Sequence, residues 1–159
     1  MLVLRSIMVS NDSRSSQQPI HAGPDPASPG GPASRHIAAS TSELSPLRAW
    51  LQEHLADVAD TDRRMLLVAV TEAATNAIEA HLRHGVDRPI EVVVDRGGGV
   101  ITIEDHGGGI DEAETEEPVA PGPSAARGRG LLIIRSVCPD ARFVATGTGV
   151  RTELPYTRS

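Results

Sequence analysis

Three short clusters hold the residues of this chain whose types and spacing could do chemistry. In Glu72-Ala-Ala-Thr-Asn76 a carboxylate and a carboxamide stand four residues apart, so on a helix they share one face. A side-chain carbonyl beside a carboxylate suits a Mg2+ ion and general-base work on a hydroxyl. In Asp105-His-Gly107-Gly-Gly109 a carboxylate precedes three glycines. Such a turn lets backbone come close to a ligand, while the carboxylate accepts from an N–H donor such as an exocyclic amine. In Gly128-Arg129-Gly130-Leu131 glycines open an apolar run, where the first N–H groups of a helix form an anion site aided by its dipole. Arg127 and Arg129 add positive charge there. Each cluster taken alone also has a plain structural reading: a solvated helix stripe with a Glu79–Arg83 pair, a tight turn, and a loop before a helix.

The elements that must position these clusters follow from the apolar pattern. Arg35 to Ser40 reads as a short first strand. The spacing of Leu47, Trp50, Leu51, Leu55 and Val58 predicts a first helix. Thr61 or Asp62 is expected to cap a longer second helix that ends at Gly85, with Leu66, Val70, Ala73 and Ala77 on its apolar side. Asn is a mediocre helix former, so Asn76 in the middle of that helix calls for a reason. The β-branched runs IEVVVD and VITIED predict a hairpin around Arg96–Gly99. An aperiodic stretch from about His106 to Arg127 is longer than ordinary loops. A third helix opening on its glycines and a second hairpin around Gly147-Thr148-Gly149 close the order. The expected architecture is an α/β (α+β) two-layer sandwich, with helices on one face of a mixed, mostly antiparallel sheet.

Composition narrows the function classes. The 159 residues include 15 basic ones, all of them Arg, against 21 acidic ones, for a net charge of −6. That balance disfavours non-specific binding to DNA or to anionic membranes. With no Lys, a Walker A loop and a eukaryotic-type kinase are both excluded, since each needs one. Phosphate chemistry here must rest on backbone N–H groups, Arg and a metal ion. The single Cys138 allows no internal disulfide and no Cys-based zinc site. Residues 1–34 are rich in Ser, Pro, Gly and Gln and are expected to be a disordered tail, leaving a domain over 35–157. The opening MLVLRSIMV is too short for a signal peptide, and no run approaches the ~20 apolar residues of a membrane span. A soluble cytoplasmic protein is the expectation.

The three clusters in this order, on helix, strand end and helix start, resemble the GHKL ATPase superfamily, and within it the RsbW-type anti-sigma-factor serine kinases. Glu72-x-x-x-Asn76 looks like the N box, Asp105-x-Gly107-x-Gly109 like the G1 box and Gly128-x-Gly130-Leu131 like the G2 box. Gly147-Thr148 sits where the family has a Gly-Thr near the adenine. The resemblance covers about Ala33 to Pro155. It implies the Bergerat fold and binding of ATP with Mg2+. It makes Asn76 the metal ligand, Glu72 the residue that orients or deprotonates the attacking hydroxyl, and Asp105 the acceptor for the adenine amine. Gly107, Gly109, Gly128 and Gly130 then let the lid and helix start wrap the phosphates, with Arg127 or Arg129 supporting them. The implied function is a serine/threonine kinase that phosphorylates a STAS-type anti-anti-sigma partner and sequesters a sigma factor, as a homodimer.

Two departures stand beside the resemblance. Relatives often carry a His four residues after the N-box Asn, where this chain has Ala80 with His81 next to it. No histidine is therefore assigned a phosphate role. The lid is acidic, and Glu114, Glu116 and Glu117 would repel a triphosphate if they faced it. That favours a second reading, a nucleotide-dependent binding module without transfer. A sensor histidine kinase is disfavoured because no helical phosphoacceptor hairpin fits before Thr41.

Overall fold

The computed structural model describes residues 31–108 and 126–158, with side-chain detail in the last helix beginning at Gly130. Residues 1–30 of the expected N-terminal tail, Gly109 and the acidic lid with Glu114, Glu116 and Glu117 lie outside these residues, whereas Ala33 and Ser34 of that tail belong to the first strand. The elements run β1 (Ala33–Ile37), a 3-10 turn (Thr41–Glu43), α1 (Leu44–His54), α2 (Asp60–His84), β2 (Ile90–Asp95), β3 (Val100–Glu104), α3 (Ala126–Val137), β4 (Arg142–Ala145) and β5 (Val150–Pro155). The strands form one sheet in the order β1-β2-β3-β5-β4. Every one of these pairings is antiparallel, which agrees with the expected mostly antiparallel sheet under helices.

Alternation decides the register. Val92 pairs with Ile103, which pairs with Thr152, and Val94 pairs with Ile101, which pairs with Leu154. All six are buried, so one sheet face is a continuous layer under the helices. The other face carries Glu91, Asp95, Glu104, Arg151 and Glu153, among others. There Arg151 bonds its directly opposite neighbour Glu104 at 2.9 Å.

The second layer is helical. Helix α2 turns Leu66, Ala69, Val70, Ala73, Ala74, Ala77, Ile78 and His81 inward. Its small residues let a neighbouring helix come near, and α3 packs along it, with Ile134 in the shared core. Leu47, Leu51, Leu55 and Val58 seal one side, as their spacing predicts. Cys138 is a buried free thiol whose Sγ donates to the Pro155 carbonyl at 3.4 Å.

Boundaries differ from the sequence expectation in three places. β1 spans Ala33–Ile37 rather than 35–40, because Ser40 leaves the sheet to cap the following turn, its Oγ accepting from Ser42 N–H. α2 starts at Asp60 after Ala59, which offers no capping side chain. Asp60 and Asp62 instead place negative charge in the first turn, and Asp60 also pairs with Arg63. α3 starts at Ala126, so Gly128 and Gly130 lie inside its first turns rather than ahead of them. Gly85 ends α2 in the left-handed region, φ 63°, as expected. Among the described residues no helix is long and apolar enough to cross a membrane.

Candidate functional site

Helix α2 is the ruler of the site. Its polar stripe presents Glu72 and Asn76, both half-buried, towards α3. Gly130 meets them there. A Cβ at Gly130 would lie 3.1 Å from Asn76 Oδ1, 3.2 Å from Asn76 Nδ2 and 3.3 Å from Glu72 Oε2. The first and third clusters are therefore in contact through the bare glycine backbone. Leu131, the next residue, packs against the core. Arg127, Gly128 and Arg129 belong to the first turn of the same helix.

One turn further along α2, the second cluster docks. Asp105 follows β3 directly, and its N–H extends the ladder to Val150 O at 3.0 Å. Its carboxylate is buried at 8% exposure, and Oδ1 accepts from Gly107 N–H at 2.9 Å. A Cβ at Gly107 would lie 2.6 Å from both the Ala80 carbonyl carbon and Ala80 Cβ, so this turn touches the helix backbone itself. Ala80 and Asn76 are four residues apart, which is about 6 Å of helix rise. The site thus has two halves on one rigid element: Glu72–Asn76–Gly130, and Asp105–Gly107.

The β4–β5 turn completes the second half. Thr148 O accepts from Gly108 N–H at 3.0 Å, and Thr148 Oγ1 is 3.0 Å from His106 Nδ1. The sequence-predicted Thr148 is thereby joined to the Asp105 turn. Gly149 is tighter still, since a Cβ there would stand 2.1 Å from Asp105 O.

Burial sets the electrostatics. It pushes the Asp105 carboxyl up, against the Gly107 and Val150 backbone and the neighbouring histidines, which favour the anion. His81, fully buried, is pushed down by the same loss of solvent. Its Nε2 accepts from His106 N–H at 2.8 Å. His81 carries no functional motif in the sequence, although position 81 continues the Ala73–Ala77 face at i+4 and so signals a buried ring.

The oxygens of Glu72 and Asn76 are hard donors of the kind Mg2+ takes. Among the described residues no group of three or more His, Cys, Asp or Glu could hold a metal by itself. An ion here would draw its remaining ligands from phosphate and water, which is the usual habit of Mg2+.

Residues 37–154 match the histidine kinase-like ATPase domain, a span holding all three clusters and Thr148, and the chain belongs to that family. Its fold is also that of a solved structure, the RsbU and RsbW domains of Rv1364c from Mycobacterium tuberculosis, with a TM-score of 0.57 at 20% identity. That likeness covers 80% of this chain and 32% of the other, so the chain spans about a third of the length of the protein it matches. No curated protein matches the chain significantly.

Proposed function

We propose that the chain is an ATP-dependent serine/threonine kinase of the anti-sigma-factor type, acting on a STAS-type partner and sequestering a sigma factor. The observation that carries the reading is the contact of Gly130 with both Asn76 and Glu72, one helical turn along α2 from Ala80, where Gly107 docks the turn that bears the buried Asp105. It gives a split site with an amine acceptor at one end and a metal- and hydroxyl-directed pair at the other.

ATP with Mg2+ would supply the transferable phosphoryl group and neutralise its charge. Asp105 would accept the adenine amine, while Gly107 N–H holds the other side of its carboxylate. Asn76 would ligate the metal. Glu72 would orient or deprotonate the acceptor hydroxyl. The first-turn amides of α3, that of Gly128 among them, would hold phosphate oxygens, Gly130 would leave room beside Asn76 and Glu72, and Arg127 or Arg129 would add charge. Phosphoryl transfer suits such a site because positioning and charge neutralisation supply most of the catalysis.

The reading is tested by incubating the chain with radiolabelled ATP, Mg2+ and STAS-type proteins of the same genome. Label on a partner Ser or Thr is the expected result. The acidic residues Glu114, Glu116 and Glu117 favour the second reading, a nucleotide-dependent binding module. ATP binding with no label on any partner would establish it.

A further inference from the structure

His81 is fully buried, on the inner face of α2 directly behind the Asp105 turn. A neutral imidazole has one N–H and one acceptor nitrogen. Because Nε2 accepts from the His106 N–H, the proton must sit on Nδ1. Nδ1 is itself buried and faces the Arg88 backbone, short of strict hydrogen-bond geometry. What the ring contributes to the Asp105 turn comes through Nε2.

The bonded amide lies between the two functional residues of the turn. His106 is flanked by Asp105, whose carboxylate faces the site, and by Gly107, which is pressed onto Ala80 and His81. Among the bonds that hold the turn are Gly107 N–H to Asp105 Oδ1, Gly108 N–H to Thr148 O, and His106 N–H to His81 Nε2. The first two are made within the strand-end loops. Among the described residues, the third is the hydrogen bond that ties the turn to α2, the helix that carries Glu72 and Asn76.

We propose that His81 is a positioning residue of the nucleotide site: its neutral ring, through Nε2, holds the His106–Gly107 turn at a fixed place on α2 and so sets the direction of the Asp105 carboxylate. This rests on the reading of the site as nucleotide-binding. The groups that act on the ring are Asp105 and His106 from the turn and Arg88 from the loop after α2. The Asp105 charge and the Arg88 backbone favour protonation, while burial, His106 and the Arg88 charge oppose it, with burial the largest. A proton on Nε2 would remove the acceptor, so the turn is held only while the ring is neutral.

The test uses His81→Gln, whose side-chain oxygen can take the place of Nε2 without titrating, and His81→Leu, which cannot accept. Mg-ATP affinity is measured by calorimetry from about pH 8 to about pH 4.5, past the ordinary histidine range, because burial holds the His81 pKa down. At the upper end His81→Leu should bind about tenfold more weakly or worse, the equivalent of one lost bond to a buried group, and His81→Gln should stay near wild type. Towards the lower end wild type should lose affinity more steeply than His81→Gln. Amide exchange at His106, read by NMR without nucleotide, should be slow in wild type and His81→Gln and at least about tenfold faster in His81→Leu. Wild-type affinity in His81→Leu, or an equally steep pH fall in His81→Gln, would overturn the proposal. Failure of wild type to bind ATP at any pH would instead overturn the nucleotide reading and the positioning role with it. The exchange result would still decide whether His81 holds the turn.

Discussion

Gly149 stands so close to Asp105 that a Cβ on it would lie 2.1 Å from the Asp105 carbonyl oxygen. Its φ lies outside the left-handed region, so the requirement is for space alone. Backbone meets backbone here, and no side-chain rotation can relieve an added methyl. Gly149→Ala is therefore expected to push β5 away from the Asp105 turn. A loss of about 1–3 kcal/mol in urea unfolding, typical of overpacking, together with weakened ATP binding, is the expected outcome. An unchanged unfolding midpoint would show that the two segments are not in contact.

Gly130→Ala separates stability from function. A Cβ there meets the ends of Asn76 and Glu72 at 3.1–3.3 Å, atoms that can move aside by a few tenths of an ångström. Inside a helix, alanine is better than glycine by about 0.5–1 kcal/mol. The variant should unfold at the same or a higher urea concentration than wild type. Its affinity for Mg-ATP should nonetheless fall, because the methyl occupies the space between the metal-directed pair and the helix start. Lower stability with unchanged affinity would reverse both expectations.

Asp105 links pH to both stability and binding. Its folded pKa is raised, so the fold holds that proton more tightly than the unfolded chain does. The resulting stabilisation is present below the ordinary carboxylate value and is lost as pH rises through the folded pKa. Asp105→Asn keeps an oxygen for the Gly107 N–H and removes the buried charge. At neutral pH it should be at least as stable as wild type by urea titration, yet bind ATP much more weakly. Wild-type ATP affinity should fall as pH drops through the raised pKa, since the ionised carboxylate is the better acceptor for an amine. Calorimetry at stepped pH reads both.

Glu72→Ala should leave Mg-ATP affinity within a few-fold of wild type and remove phosphoryl transfer. General-base contributions of about 10²- to 10⁴-fold are usual, and single-turnover transfer to a STAS partner would measure the loss. Transfer at the wild-type rate would remove Glu72 from the mechanism.

Much of this site was legible in the residues. The stripe from Glu72 to Asn76, the hairpin of β2 and β3 and the stop at Gly85 follow from spacing and local chemistry. What was not legible depends on contacts remote in sequence. Gly107 reads as an ordinary turn residue until it is found against Ala80, 27 positions earlier. Pairing β3 with β5, across α3 and β4, follows from matching buried faces such as Ile101 with Leu154. His81 sits on the inner side of α2, and its role depends on the His106 amide, which only the fold brings to it. Thr61 and Asp62 carry the capping chemistry in the sequence, yet α2 begins earlier, at Asp60, and Asp60 and Asp62 act as first-turn charges.

The central claim is that Asn76 belongs to a nucleotide site formed with Gly130 and Asp105. Calorimetric titration of wild type and Asn76→Ala with Mg-ATP, alongside urea unfolding of both, tests it most directly. Asn76 is only half-buried, so its removal should change stability by no more than about 1 kcal/mol. Saturable binding in wild type that vanishes in the variant, with the fold intact, is the result expected. Equal affinity in the two proteins would contradict the site.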